Sequence, residues 1–137
     1  MRHADKRLTQ EGDYMISFKH RGNFNNLEKF FRRKSKNYEA VLHKYGKIGV
    51  GVLSSATPVD SGETASMWGY EVFIGKNSFG INWTNSNIVD GIPIAVLIQY
   101  GHGTGNGGYV SGRDYINPAI QPVFDRITSE LWAEVTK

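Results

Sequence analysis

The four histidines and a glycine-rich segment are the places where this sequence has residues suited to chemistry. His3, His20, His43 and His102 show neither the H-x-x-x-H nor the H-E-x-x-H spacing that puts two imidazoles on one face of a metal site. His102 lies in residues 101–108, where five of eight positions are glycine, so its imidazole has the freedom of an active-site loop. Because no G-x-S-x-G elbow supplies a nucleophile, we interpret His102 as an interaction residue rather than a catalytic one.

Two further patterns imitate active sites. Residues 103–108 match the G-x-G-x-x-G pattern of dinucleotide-binding proteins, but that site needs a helix directly after the loop, and we expect none before residue 117. Asp60 and Glu63 are spaced like an acid–base pair, although a capping box at the start of a short helix explains both carboxylates. The chain has no cysteine, which excludes thiol chemistry and Cys-type metal sites.

We therefore expect no enzymatic activity, no metal and no cofactor. A small hydrolase built on His102 and Asp60 is the enzymatic alternative, and it lacks an identifiable nucleophile. The chain also has no run of about 18 apolar residues, so no segment is suited to span a bilayer, and we expect a soluble protein.

A long helix is the strongest structural signal in the chain. Apolar side chains recur at steps of three, four or seven over residues 27–56, and Pro58 ends the pattern because the residue before a proline avoids the helical region. Glycines at positions 46, 49 and 51 weaken the second half of this helix and leave room for another backbone to approach. The face opposite the apolar stripe carries basic side chains: Lys29, Arg32, Arg33, Lys36 and Lys47.

The other elements are shorter. We expect a mobile tail over residues 1–14, a brief strand over 15–18, a capped helical turn over 63–68, and a hairpin of two strands over 70–74 and 79–83. The apolar residues 92–100 fit either a strand or a short helix.

A second amphipathic stripe, which starts at Ile120, predicts the last helix. Pro122 removes an internal hydrogen bond, so this helix either begins near Gln121 or is irregular in its first turn. The order of elements predicts an α+β fold with a single domain over residues 15–137. In it, a long N-terminal helix and a C-terminal helix pack on a small antiparallel β-sheet, with a flexible glycine-rich loop.

The charges are divided unevenly along the chain. Residues 1–47 carry 12 Lys/Arg against 5 Asp/Glu, a net charge of +7, whereas residues 48–137 carry 4 against 8, a net charge of −4. The basic part suits phosphate or an acidic protein surface. A small basic DNA-binding protein is thus one alternative, in which four aromatic residues would stack on bases: Trp68, Trp83, Tyr109 and Tyr115. Aromatic alternation in a hairpin is also the ordinary way to bury a sheet face, and we favour that interpretation.

Three segments resemble, in the same order, segments of the head–tail joining proteins of long-tailed bacteriophages, also called tail-completion or neck proteins. Residues 57–62 (TPVDSG) are similar to the TPVDTG turn after the first helix of that family. Residues 98–103 (IQYGHG) are similar to its V-E-[YF]-G-T segment, and residues 112–119 (GRDYINPA) to its GRPFLRPA entry to the last helix. The chain departs from these patterns at Glu63, Thr64, Gln99, Asp114 and Asn117.

The resemblance covers residues 15–137 and implies a structural virion protein without catalytic residues. Proteins of this family form rings of identical subunits, typically six, in the neck between the head connector and the tail. They are made in the host cytoplasm, complete the tail and mediate head–tail joining around the DNA channel. The implied partners are copies of the chain itself, head-completion or connector proteins, and tail terminator or tail tube proteins, with DNA only as cargo and no membrane.

A closed ring needs a head-to-tail contact between two different patches of the subunit. We expect the basic helix face, with Arg32, Arg33, Lys36 and Lys47, to meet acidic residues of a neighbour such as Glu63, Glu71 or Asp90. In the glycine-rich segment and just after it, we expect contacts from His102, Tyr109 and Arg113.

Overall fold

The structure is a computed structural model that describes residues 4–8, 14–21, 27–58, 62–75 and 78–135. It confirms the α+β class, with four helices and small antiparallel sheets. The elements in chain order are β1 (Ala4–Leu8), β2 (Tyr14–Arg21), α1 (Leu27–Ala56), α2 (Gly62–Ala65), β3 (Trp68–Ile74), β4 (Ser78–Asn85), β5 (Ile88–Val89), β6 (Ile92–Pro93), α3 (Ile94–Tyr100), β7 (Gly101–Gly103), β8 (Tyr109–Ser111) and α4 (Ile116–Val135).

The main sheet has four antiparallel strands in the order β1-β2-β4-β3. Strands β3 and β4 form the predicted hairpin, and each is longer than its pattern indicated. The segment that we expected to be a tail contains β1, which pairs with β2 from Ala4 opposite His20 to Leu8 opposite Ile16. Its sequence, ADKRL, has no apolar alternation, because what holds a strand at a sheet edge is the hydrogen-bonding of its neighbour.

Helices α1 and α4 cover one face of this sheet and enclose the core. The Phe124 ring of α4 lies 5.3 Å from Phe18 of β2 and 5.9 Å from Trp83 of β4, measured between ring centroids. The Trp83 indole N–H donates to the carbonyl of Gly46 on α1 at 3.0 Å. One aromatic side chain of the sheet therefore anchors both helices.

Gly46 and Gly49 of α1 make room for aromatic side chains of the sheet rather than for another backbone. A methyl group at Gly46 would overlap the Tyr70 ring, and one at Gly49 would overlap the Trp83 indole. Gly51 lies on the exposed side of the helix, where a methyl group would meet no atom within 4 Å. The helix is continuous through all three positions and ends at Ala56, as the pattern with Pro58 predicted.

The opposite face of the sheet is open and largely polar. Ser17 of β2 donates to the Asn82 side chain across the strand pair at 2.7 Å, and Glu71 of β3 lies opposite Asn82 on the other side. The Phe73 ring packs against Gly80, where a Cβ would lie 2.8 Å from the ring edge. An aromatic ring that covers a cross-strand glycine fills the gap that the missing side chain leaves.

Helices α3 and α4 follow the sheet, and both can be compared with the sequence predictions. The apolar stretch 92–100 is mainly helical, as α3, which was one of the two predicted possibilities. Helix α4 begins at Ile116 and includes Pro122, so of the two alternatives the start near Gln121 is wrong. The side chain of Gln99 caps the helix at this earlier position.

Candidate interaction surface

Two small hairpins flank helix α3 in the chain. The first, β5–β6, turns at Asp90 and Gly91, which have φ values of 53° and 78°. Positive φ at both central residues is typical of a type I′ turn, for which Asp-Gly is a preferred pair. The sequence contained this signal in Asp90-Gly91, but strands of two residues are too short to produce a periodic pattern.

The second hairpin, β7–β8, is formed by the glycine-rich segment that we expected to be a flexible loop. Gly101 pairs with Ser111 and Gly103 with Tyr109. The turn is closed by the Thr104 amide, which donates to the carbonyl of Gly108 at 2.9 Å, and by the Gly108 amide, which donates to the Thr104 hydroxyl at 3.0 Å. The segment therefore has defined backbone hydrogen bonds, which a count of its glycines does not indicate.

The base of this second hairpin requires glycine for close packing. Gly101 has a φ of 82°, and a Cβ there would lie 2.5 Å from the carbonyl oxygen of Val110. A Cβ at Gly112 would lie 2.5 Å from the carbonyl oxygen of Gln99. The Tyr109 hydroxyl closes the same region from the outside, because it donates to the carbonyl of Tyr100 at 3.1 Å.

Exposed apolar side chains concentrate on these hairpins. Seven large hydrophobic residues are exposed among those described, and Tyr109 is the most open at 66%. One of the seven, Trp132, lies on α4. The other six belong to residues 88–110: Ile88, Val89, Ile92, Tyr100, Tyr109 and Val110. Exposed apolar side chains gathered in one part of the chain are typical of sites of protein–protein contact.

A buried polar network fixes the second hairpin to the start of α4. The Gln99 carbonyl oxygen accepts the amides of Tyr115 at 3.1 Å and Ile116 at 3.0 Å, and thus caps α4 from outside the helix. The Gln99 amide group donates to Asp114 at 2.6 Å, and Asp114 also accepts from Asn117 at 2.9 Å. Because this cap satisfies two helix-terminal amides, α4 begins at Ile116 rather than at Gln121.

Tyr115 and Arg113 complete the junction. The Tyr115 hydroxyl donates to the carbonyl of Ala95 at 2.9 Å, and burial raises the pKa of this hydroxyl far above its usual value. The Arg113 amide donates to the carbonyl of Ile98 at 2.9 Å. Both ends of the β7–β8 hairpin are therefore held against α3.

The predicted interaction residues do not form one site. Asp90 lies at the tip of β5–β6, His102 and Tyr109 on β7–β8, and Arg113 just after β8, all exposed. Glu63 is exposed in the first turn of α2, Glu71 on the open face of the sheet and Lys47 on α1. The side chains of Arg32, Arg33 and Lys36, as well as residue Asp60, lie outside the described residues.

The aromatic stacking platform for bases is not formed. Trp68, Trp83 and Tyr115 are buried, with exposed fractions of 7%, 0% and 6%, and Tyr109 alone of the four is open. The preference for a sheet core over a nucleic-acid surface is confirmed for these three side chains.

An open groove between α1 and α4 was not predicted from the sequence. Small and aliphatic residues line it, among them Ile48, Gly51, Val52, Ala119, Pro122 and Val123. Arg126 is the charged residue of the lining. The signal was present as glycine, serine and alanine at positions 51, 55 and 56, where a helix can approach a partner closely, but sequence alone does not show which helices meet.

Beyond Arg126 the groove leads to a polar cluster on the same two helices. The Arg126 guanidinium lies 5.5 Å from the centroid of the Tyr45 ring. Glu130 accepts from the Tyr45 hydroxyl at 2.6 Å and from Lys44 at 3.1 Å. The hydrogen bond from Tyr45, followed by the contacts with Lys44, lowers the pKa of the Glu130 carboxyl.

Among the described residues, no group of three or more His, Asp or Glu side chains is placed to hold a metal ion. None of the helices in the described ranges combines the length and the hydropathy needed to cross a membrane. No protein-family model, curated protein or solved structure matches the chain.

Proposed function

We propose that this chain is a ring-forming structural protein of a bacteriophage neck, which completes the tail and joins it to the filled head. The observation that carries the proposal is the concentration of exposed apolar side chains on two hairpins at the ends of α3. A surface of this kind serves adhesion between proteins rather than chemistry on a small substrate.

The resemblance in the sequence supports the particular assembly. Of its three segments, residues 98–103 and 112–119 pack against each other at the base of the β7–β8 hairpin. Three of the departures from the family pattern, at Gln99, Asp114 and Asn117, lie in one hydrogen-bonded network. Substitutions at residues in contact are coupled rather than independent, so these departures amount to one change in a single contact network.

The genetic test uses a phage that encodes this chain. Without the chain, we expect filled heads and tails that lack this terminal ring to accumulate separately, as seen by electron microscopy, and a supplied copy should restore joined particles. Joined, infectious virions formed in its absence would overturn the proposal.

A biophysical test separates this function from the DNA-binding alternative. In sedimentation velocity over a range of concentrations, we expect a ring-sized species, or a monomer that assembles only on docking, and neither should respond to short duplex DNA. Tight DNA binding that collapses between about 50 and 200 mM salt would instead favour the basic DNA-binding protein.

A further inference from the structure

We propose that the tip of the β5–β6 hairpin of one copy inserts into the α1–α4 groove of a second copy of this chain. This inference rests on the proposed function for its biological role and names the contact between neighbouring subunits. It is carried by the shapes and charges of two surfaces that lie on different parts of the same subunit.

The hairpin tip is narrow, apolar and acidic. Val89 and Ile92 form the last pair of the ladder and are exposed by 51% and 45%. Between them, the two-residue turn carries a single charge on Asp90. Asp90 and Gly91 both have positive φ, as in a type I′ turn, so the tip is only two residues wide.

The groove offers the complementary surface. Its walls include Gly51, which has no side chain, and Ala119, which has a short one, together with aliphatic residues such as Val52 and Val123. Its charged residue is Arg126, opposite in sign to Asp90. Apolar contact would supply affinity, and the Asp90–Arg126 pair would set the register of the tip in the groove.

The second hairpin fits this groove less well. The tip of β7–β8, residues 104–108, consists of threonine, asparagine and three glycines, with no charge and no large apolar side chain. It offers neither a carboxylate for Arg126 nor an aliphatic group for the walls. We therefore assign β5–β6, not β7–β8, to the groove.

A tip that enters a groove elsewhere on the next copy makes a heterologous contact. Such contacts repeat head to tail and close into a ring when the rotation between subunits allows it. An isologous dimer, by contrast, would bring two tips or two grooves together around a two-fold axis.

Engineered cysteines test the contact directly, because the natural chain has none. Val89→Cys places a thiol at the tip, and Gly51→Cys places one in the groove, where a Cβ at position 51 meets no atom within 4 Å. A disulfide needs Cα atoms within about 7 Å of each other, so cross-linking reports close approach of these two positions.

The two single variants are mixed in equal amounts and oxidised at high protein concentration. We expect a cross-linked dimer in the mixture and none from either variant alone. As a matched control, Gly105→Cys puts a thiol on the exposed β7–β8 turn, also without a neighbour within 4 Å. Mixed with Val89→Cys, it should give no specific product.

Each other outcome would overturn the inference. A dimer from Val89→Cys alone would indicate an isologous contact between tips, and no cross-link in any mixture, in solution or in assembled particles, would exclude the tip–groove contact. If the unmodified chain still sediments as a ring in that case, the proposed function stands and only the assigned contact fails. The genetic test, in which head–tail joining is measured in the absence of the chain, examines the proposed function independently of the cross-linking result.

A charge variant provides a second measurement. Asp90→Asn keeps a residue that tolerates positive φ but removes the charge, so the monomer should fold and its self-association should weaken roughly tenfold. Arg126→Gln should weaken it similarly, and the double variant should be no weaker than either single one. Unchanged association in both single variants would contradict the pairing of Asp90 with Arg126.

Discussion

The side chain of Gln99 caps a helix to which it does not belong: it accepts two amides at the start of α4 and donates to Asp114 at 2.6 Å. Gln99 is the last residue but one of α3 and is 7% exposed. The contact joins α3, the β7–β8 hairpin and α4 at one buried point. An amide side chain suits this position because it accepts from backbone amides and donates to a carboxylate at the same time.

Gln99→Leu should lower the free energy of unfolding by about 2–4 kcal/mol, because two buried amides lose their acceptor and Asp114 loses the hydrogen bond from Gln99. Thermal or urea unfolding measures the change. Gln121→Leu is the matched control on the exposed side of α4, where we expect a change within about 0.5 kcal/mol. Equal effects of the two substitutions would contradict the capping role of Gln99.

Gly49→Ala should destabilise the protein by about 1–3 kcal/mol, because the added methyl group overlaps the buried Trp83 indole. Gly51→Ala, two residues further along the same helix, should stabilise it by up to about 1 kcal/mol through helix propensity alone. Chemical denaturation of the two variants checks the difference in sign. A stabilising effect at both positions would show that Trp83 does not pack against α1.

Tyr115 should remain un-ionised in the folded protein at pH values where exposed tyrosines titrate. Burial raises its pKa above the ordinary value of 10.0. Because the folded state disfavours the phenolate, the stability from this residue is complete below pH 10 and is lost as the pH rises above it. Ultraviolet titration of the wild type should show late phenolates, one fewer of which remains in Tyr115→Phe; identical titration curves would count against the buried hydroxyl.

Reversal of two charges on α1, Arg32→Glu with Arg33→Glu, should abolish head–tail joining while the subunit stays folded. The basic helix face would then repel the acidic residues of a neighbour instead of attracting them. Circular dichroism checks the fold, and electron microscopy of particles checks the joining. Lys19→Glu, on the open sheet face, serves as the control; normal virions from the Arg32/Arg33 variant would sink the hypothesis of a basic interface.

The sequence predicted helices whose apolar stripe runs for more than about two turns, and strands in which more than about four residues alternate between apolar and polar. The stripe from Leu27 to Ala56 predicted α1, and the alternation around Tyr70 and Ile81 predicted the β3–β4 hairpin. The division of charge between residues 1–47 and 48–137 was equally plain. These features are local, since a helix face or a strand face is defined by neighbours in the chain.

Tertiary contacts decided the rest. Strand β1 is charged and exists through its pairing with β2, and α4 begins early because Gln99, 17 residues before Ile116, accepts its amide. The groove between α1 and α4 is formed by elements that are far apart in the chain. Local sequence determines which faces are apolar or charged, but which of those faces are left uncovered depends on packing between distant segments, and that packing produced the surfaces proposed for assembly.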